Sequence, residues 1–244
     1  MEKLGIIGGL GPAATARLMT RIVDFTDAAR DQDHLDITVL NRPWIPDRTA
    51  YLLGRPGAAS FIEPMRKAAL ELEAAGCGVL CTPCNTAHSR LADIAAPLRA
   101  ARFAHMPQET ADFAARLGCG RVAVLATDGT RAAGVYDRAL EAAGIQTVWP
   151  DAAGQREVMS IIYDEVKAGL ANGPEHVEAV CSALASAGCD GIILGCTELS
   201  VVDCPRRLAG VPVVDALDVL AWRCVQECGA PARDLEAAFA ASAG

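Results

Sequence analysis

A two-lobed α/β fold, each lobe a mostly parallel sheet flanked by helices with the working site in the cleft between them, is predicted by three features of the sequence. Short apolar strand-like runs alternate with segments of helical periodicity along the whole chain, the pattern of parallel sheets covered on both faces. Residues 76–88, GCGVLCTPCNTAH, have a faint copy at 188–200, GCDGIILGCTELS, in which Gly76 aligns with Gly188, Cys77 with Cys189 and Cys84 with Cys196. Residues 3–15 and 121–133 share a plan of strand, Gly-containing turn and helix. The repeat predicts one lobe from 1–104 plus 215–244, carrying Cys84, and a second from 105–214, carrying Cys196.

The elements follow in order. Residues 3–9 read as a buried strand, and Gly11-Pro12 opens a helix reaching Arg30, with Pro in its first turn. A second strand covers 36–40 and leads into a long polar connection, 41–49, of the kind that often carries function. Helical spacing through Ile62, Met65, Ala69 and Leu72 marks 58–75. The strand of the first motif then breaks at Thr82-Pro83, and a helix through Ala87, Leu91 and Ile94 ends before Pro97. The second half reads as helix 107–117, strand 121–126, a turn at 127–130 into a helix, strand 145–149, helix 154–170 carrying Lys167, helix 174–187, strand 190–194 and strand 211–214. The last helix, 216–228, is expected to pack back on the first lobe.

Composition narrows the function. The 244 residues are 52% hydrophobic but only 5% aromatic, so the core is largely aliphatic, and a formal charge of −8 argues against a nucleic-acid or anionic-membrane partner. No apolar run approaches the roughly 18–20 residues that cross a bilayer. The start, MEKLGIIGGLGPAATA, does not read as a signal peptide, because Gly8, Gly9, Gly11 and Pro12 interrupt its apolar part. Ten cysteines, most inside apolar segments, fit a reducing cytoplasm better than a disulfide scaffold.

In open α/β sheets ligands sit beyond the carboxyl ends of strands, and Cys84 and Cys196 both stand there. Each is expected to precede a helix whose free N–H groups favour a thiolate. Two cysteines facing one carbon from opposite sides suit stereoinversion: one thiolate takes a proton and the other thiol protonates the opposite face. Asn85, Thr86, Thr197 and backbone N–H groups are then expected to line the side where negative charge develops. Other readings are weaker. Cys81-Thr82-Pro83-Cys84 is a CxxC, but no second one completes a zinc site and Cys81 lies in the strand. The glycine-rich turn at 5–11 is similar to a dinucleotide fingerprint, yet the second strand ends in Leu40-Asn41 without the acidic residue that holds a ribose; a backbone turn at the cleft floor explains it better. Lys3, Lys67 and Lys167 are the only lysines, and none sits in a pyridoxal-phosphate motif.

Gly8-Gly9-Leu10-Gly11-Pro12, Pro46-Asp47-Arg48, Pro83-Cys84-Asn85-Thr86-Ala87-His88, Leu125-Ala126-Thr127 with Gly129-Thr130, and Gly195-Cys196-Thr197-Glu198-Leu199 together resemble the aspartate/glutamate racemase family over nearly the whole chain. The resemblance implies cofactor-independent and metal-independent racemisation of an acidic amino acid, and a homodimer. It makes Cys84 and Cys196 the acid/base pair, places Asn85, Thr86, Thr127 and Thr197 on the α-carboxylate side, and assigns Arg48 and Lys167 to the side-chain carboxylate. Arg48 also has its own argument, standing in the long loop that overhangs the cleft, whereas Lys167 near a helix end would equally complement the helix dipole. Glu198 stands where glutamate racemases usually carry His, which favours the aspartate branch. His88, one turn past Cys84, either orients the thiol or caps and packs. Alternatives that keep the fold are a racemase or isomerase of a related small acid or hydantoin, and a non-catalytic protein that binds acidic amino acids.

Overall fold

The structure, a computed structural model, describes residues 1–170 and 173–241. One sheet joins β1 (Lys3–Gly8), β2 (Ile37–Asn41), β3 (Cys77–Cys81) and β4 (Arg102–Phe103) in the spatial order β2-β1-β3-β4, every pair parallel. A second joins β5 (Arg121–Leu125), β6 (Gln146–Val148), β7 (Gly191–Leu194), β8 (Arg207–Leu208) and β9 (Val211–Asp215) in the order β6-β5-β7-β9-β8, parallel except where β8 meets β9. The sequence therefore predicts the α/β class and its two mostly parallel sheets correctly.

Helices α1 (Pro12–Phe25), α2 (Arg48–Leu52), α3 (Ile62–Ala74), α4 (Leu91–Ala95) and α5 (Met106–Arg116) lie in the first half. Helices α6 (Asp128–Ala132), α7 (Val135–Ala142), α8 (Ala152–Ser160), α9 (Glu175–Ser186), α10 (Ala216–Glu227) and α11 (Leu235–Ala241) complete the chain. Helix α1 starts with Pro at its first turn and buries Ala14, Thr15, Leu18, Ile22 and Phe25 on one face. It stops well short of Arg30, because Thr26 takes an extended conformation, turns its hydroxyl back to the Ile22 carbonyl at 2.7 Å and bridges Ala232. Helix α10 packs on α1 and α5. The segment after it is tied to the first half by Glu2 N–H to Cys228 O (2.8 Å), Asp27 N–H to Pro231 O (2.9 Å) and Arg233 N–H to Phe25 O (2.8 Å). One apolar cluster consequently runs through both sheets, from Leu4, Ile6 and Val79 through Leu217, Leu220 and Ala221 to Val122, Val124 and Ile193.

The repeated motif has a local cause. Gly76 and Gly188 have φ of +84° and +85°, each just past the end of a helix whose C-terminal carbonyls it helps to cap. Only glycine takes that left-handed conformation without cost, and it turns each chain into its strand. After each strand the cysteine carbonyl accepts a hydrogen bond from three residues on, Ala87 N–H to Cys84 O (3.1 Å) and Leu199 N–H to Cys196 O (2.9 Å).

Three expectations require correction. The chain does not pass from Cys84 into a regular helix but into a 3₁₀ turn, Asn85–Arg90, before the short α4; Cys196 likewise leads to a 3₁₀ turn, Leu199–Val202. The helix-dipole argument for thiolates therefore loses its basis, since neither turn has the aligned peptides of a long helix. The polar connection gives way at Arg48 to α2, whose N-cap Asp47 accepts from Ala50 N–H at 2.6 Å. The helix expected over 154–170 is interrupted: α8 ends at Ser160, Ile161–Val166 continues as a π-helical turn, and Lys167 caps it. The glycine-rich turn is a close backbone crossing. Gly9 has φ +91°, and a Cβ there would lie 2.5 Å from the backbone of Arg42. No helix among the described residues is long and apolar enough to cross a membrane.

Candidate active site

A buried cavity lies between the two halves, at the carboxyl ends of the central strands. All eight residues singled out in the sequence, Arg48, Cys84, Asn85, Thr86, Thr127, Lys167, Cys196 and Thr197, line it. Its free space is about 20 Å³, room for little more than one water. It adjoins an outer chamber of about 390 Å³ walled by Pro12, Ala13, Pro43, Ile45, Val166 and Val201. Leu10, Asp47, Arg48, Lys167 and Glu198 line both spaces and form the neck between them.

Hydroxyl groups seal the seam. Thr86 Oγ1 lies 3.1 Å from Thr127 Oγ1 and 2.8 Å from Thr130 Oγ1, and Thr49 donates to Thr127 at 3.1 Å. Thr197 donates to the Pro83 carbonyl at 3.0 Å, joining the two cysteine-bearing turns directly. The Thr86, Thr127 and Thr197 hydroxyls are thus already committed within the protein. Asn85 differs: its Oδ1 accepts from Tyr136 OH at 2.7 Å, while its buried Nδ2 has no partner. An unpaired buried donor is costly, and a ligand oxygen in the cavity would relieve it.

The two cysteines have unlike surroundings. Cys196 Sγ donates to Glu198 Oε2 at 3.0 Å, and Glu198 Oε1 pairs with Lys167 Nζ. Burial pushes the Cys196 thiol well above its ordinary pKa, the Glu198 charge pushes it further, and Lys167 only partly opposes them. Cys196 is therefore a thiol in this arrangement. Burial alone would lower the Lys167 pKa, but the neighbouring Glu198 and Cys196 outweigh it and hold the ammonium charged. Cys84 faces Arg48, whose pKa is raised by Cys84, Asp47 and Glu198 in spite of burial. Most of the Arg48 fork is committed to the backbone: Nη1 donates to Ile45 O (3.3 Å) and Pro46 O (3.0 Å), Nη2 donates one bond to Leu10 O (2.8 Å), and the buried Nε is unpartnered.

His88 turns away from the thiol. Its Nε2 accepts from Met106 N–H at 3.2 Å, capping α5, so the proton is on Nδ1 and is donated to the Cys84 carbonyl at 3.0 Å. Burial, reinforced by His105, lowers its pKa from 6.5 to about 3. Between those values the unfolded chain binds a proton the folded one refuses, so this contribution to stability is whole above pH 6.5 and is lost as pH falls towards 3. The expected slope is up to ~1.4 kcal/mol per pH unit. Urea midpoints measured from neutral to acid pH should fall more steeply for the wild type than for His88→Gln.

The cavity wall also contains Leu10, Asp47, Thr49, Tyr163 and Glu198, for which the sequence alone suggests no binding role. A signal existed for Tyr163, which precedes Lys167 by four residues and stacks beneath its ammonium, with Nζ 5.6 Å from the ring centroid. Asp47 and Thr49 flank Arg48 in the motif already noted, and Tyr163 OH reaches Asp47 Oδ2 at 3.4 Å.

Known proteins share this fold. An aspartate racemase from Picrophilus torridus superposes with a TM-score of 0.83 at 29% identity, over 99% of this chain and 100% of that one. An aspartate racemase homologue from Pyrococcus horikoshii superposes at 0.76 with 23% identity, over 93% and 99% of the two chains, a likeness of fold. The broad specificity amino-acid racemase RacX of Bacillus subtilis is 25% identical over 229 residues, 89% of this chain and 94% of that one. The family described as Asp/Glu/Hydantoin racemase matches residues 7–224, a span that takes in every residue of the cavity, and the chain belongs to that family.

Proposed function

We propose that the chain is an amino-acid racemase that interconverts the L and D forms of aspartate, glutamate or both, with Cys84 and Cys196 as its two acid/base groups and without pyridoxal phosphate. The observation that carries this reading is that two cysteines from equivalent strand ends of the two repeats line one buried cavity. One cysteine as thiolate takes the α-proton, and the other as thiol returns a proton to the opposite face. The planar intermediate places negative charge on the carboxylate oxygens. Asn85 Nδ2 is the side-chain donor left for it, with backbone N–H groups of the two turns beside it. Lys167, and Arg48 through Nε, supply the positive charge that recruits a second carboxylate.

The test is a panel of amino acids incubated with chelator-treated protein and no added pyridoxal phosphate, read by chiral chromatography. Aspartate or glutamate should racemise; no turnover of either would refute the reading. Neutral amino acids belong in the panel because the Bacillus subtilis relative is described as having broad specificity.

A further inference from the structure

Glu198 stands at the neck of the cavity with its carboxylate shared. One oxygen pairs with Lys167 and the other accepts the Cys196 S–H at 3.0 Å. The residue is buried, and Gly11 of the opposite half leaves room for it, since a Cβ on Gly11 would lie 3.3 Å from Glu198 Oε1. The charged and titratable groups around it are Lys167 and Tyr163 from the π-helical turn, Arg48 and Asp47 at the start of α2, and the two cysteines. A protein carboxylate thus already occupies the ammonium that a substrate's distal carboxylate would need.

We propose that Glu198 is a built-in stand-in for that distal carboxylate, and that a dicarboxylic substrate displaces it from Lys167 and thereby turns it into the group that draws the proton from Cys196. This rests on the racemase reading above and adds a coupling between substrate identity and chemistry. While paired with Lys167, the carboxylate keeps its counter-charge and Cys196 keeps its proton. Once a second carboxylate takes the ammonium, Glu198 is left buried without its counter-charge, and the S–H already aimed at its Oε2 is a proton within reach. The S–H bond of Cys196 then breaks and an O–H bond forms on Glu198 Oε2. The resulting thiolate takes the α-proton of the enantiomer whose C–H faces it, and the Cys84 thiol protonates the other face. When product leaves, Glu198 releases its proton to solvent and pairs with Lys167 again, and solvent returns a proton to the Cys84 thiolate. Glu198 acts through Cys196 and is a positioning residue.

A monocarboxylic amino acid leaves the Lys167–Glu198 pair intact and Cys196 a thiol, so discrimination appears in kcat and not only in KM. The experiment has two arms. In the first, succinate, which has no stereocentre to invert, is titrated into the protein while thiolate ultraviolet absorbance is followed. The wild type should gain a saturable signal, Cys196→Ser and Glu198→Gln should gain none, and acetate should produce none in any of them. In the second, Glu198→Gln should lower kcat for aspartate by about 10²-fold, the lower end for a proton-transfer partner, and shift the kcat pH profile, with KM changed much less. Glu198→Asp should recover part of kcat. A wild-type protein that racemises aspartate but shows no succinate signal, or a Glu198→Gln variant with wild-type kcat, overturns the coupling and leaves the racemase reading standing. A succinate signal in a protein that racemises nothing overturns the racemase reading and leaves the coupling of Glu198 to Cys196 standing.

Discussion

Replacing Cys84 or Cys196 singly by serine should lower racemisation by about 10²–10⁴-fold, the usual weight of a positioned acid or base. Both side chains are 6% exposed, and serine is close to cysteine in size, so the cavity should survive the change. Serine cannot supply a thiolate, however, and a hydroxyl in the same place is too weak an acid and base for the α-proton. The informative readout is exchange of the α-proton with deuterium oxide, followed by proton NMR on each enantiomer separately. Each single variant should keep exchange from the enantiomer facing its remaining cysteine, so the two variants should spare opposite enantiomers. If both spare the same one, the assignment of one cysteine to each face is wrong. Cys81→Ser is the control for the CxxC. Cys81 is fully buried, and its thiol meets that of Cys224 away from the cavity, so its loss should move stability and leave enantiomer exchange alone.

What the sequence made legible was what local physics writes into it. Gly76 and Gly188 repeat because each must take a left-handed conformation after a helix, and that constraint survives where most side chains in the two copies have diverged. Cys84 and Cys196 inherit their equivalence from those glycines and from the parallel pairing of β3 with β1 and β7 with β5. The π-helical turn at Ile161–Val166 was hidden, because apolar spacing through 154–170 looks the same whether hydrogen bonds close at four residues or five. The early end of α1 was hidden for a related reason: Thr26 leaves the helix to meet Ala232, far along the chain. In the site, residue identities could be read but not their partners. Thr86 and Thr127 were recognisable as polar groups at strand ends, yet their bonds to Thr130 and Thr49 depend on the two halves closing. Glu198 likewise stands out in the sequence as the neighbour of a cysteine, at a position where glutamate racemases usually carry His, but not as the bridge between Cys196 and Lys167.

Arg48→Ala should lower the folding stability by about 2–5 kcal/mol as well as damage activity, because it leaves the carbonyls of Leu10, Ile45 and Pro46 without their donor at roughly 1–3 kcal/mol for each one that water cannot reach. A guanidinium whose only task was to bind a substrate carboxylate would behave otherwise, since removing a free cation from a site normally costs affinity and leaves the fold indifferent or more stable. Arg48 instead ties the glycine-rich turn, through Leu10, to the loop that precedes α2, and so fixes the wall on which Cys84 and the neck of the cavity depend. Three of its five N–H groups are spent on those carbonyls, so a bidentate pair through both Nη groups would require a carbonyl to be released, and what remains is the Nε proton and one Nη2 proton. Lysine has no planar fork and cannot reach three carbonyls in different directions, so Arg48→Lys should keep the charge beside Cys84 and still lose much of the stability. Urea unfolding separates the two roles from kinetics. The expected order of midpoints is wild type, then Arg48→Lys, then Arg48→Ala, with kcat/KM for aspartate falling in both variants. An Arg48→Ala protein with the wild-type midpoint and only a raised KM would mean that the three backbone bonds are incidental and that the residue serves the ligand alone.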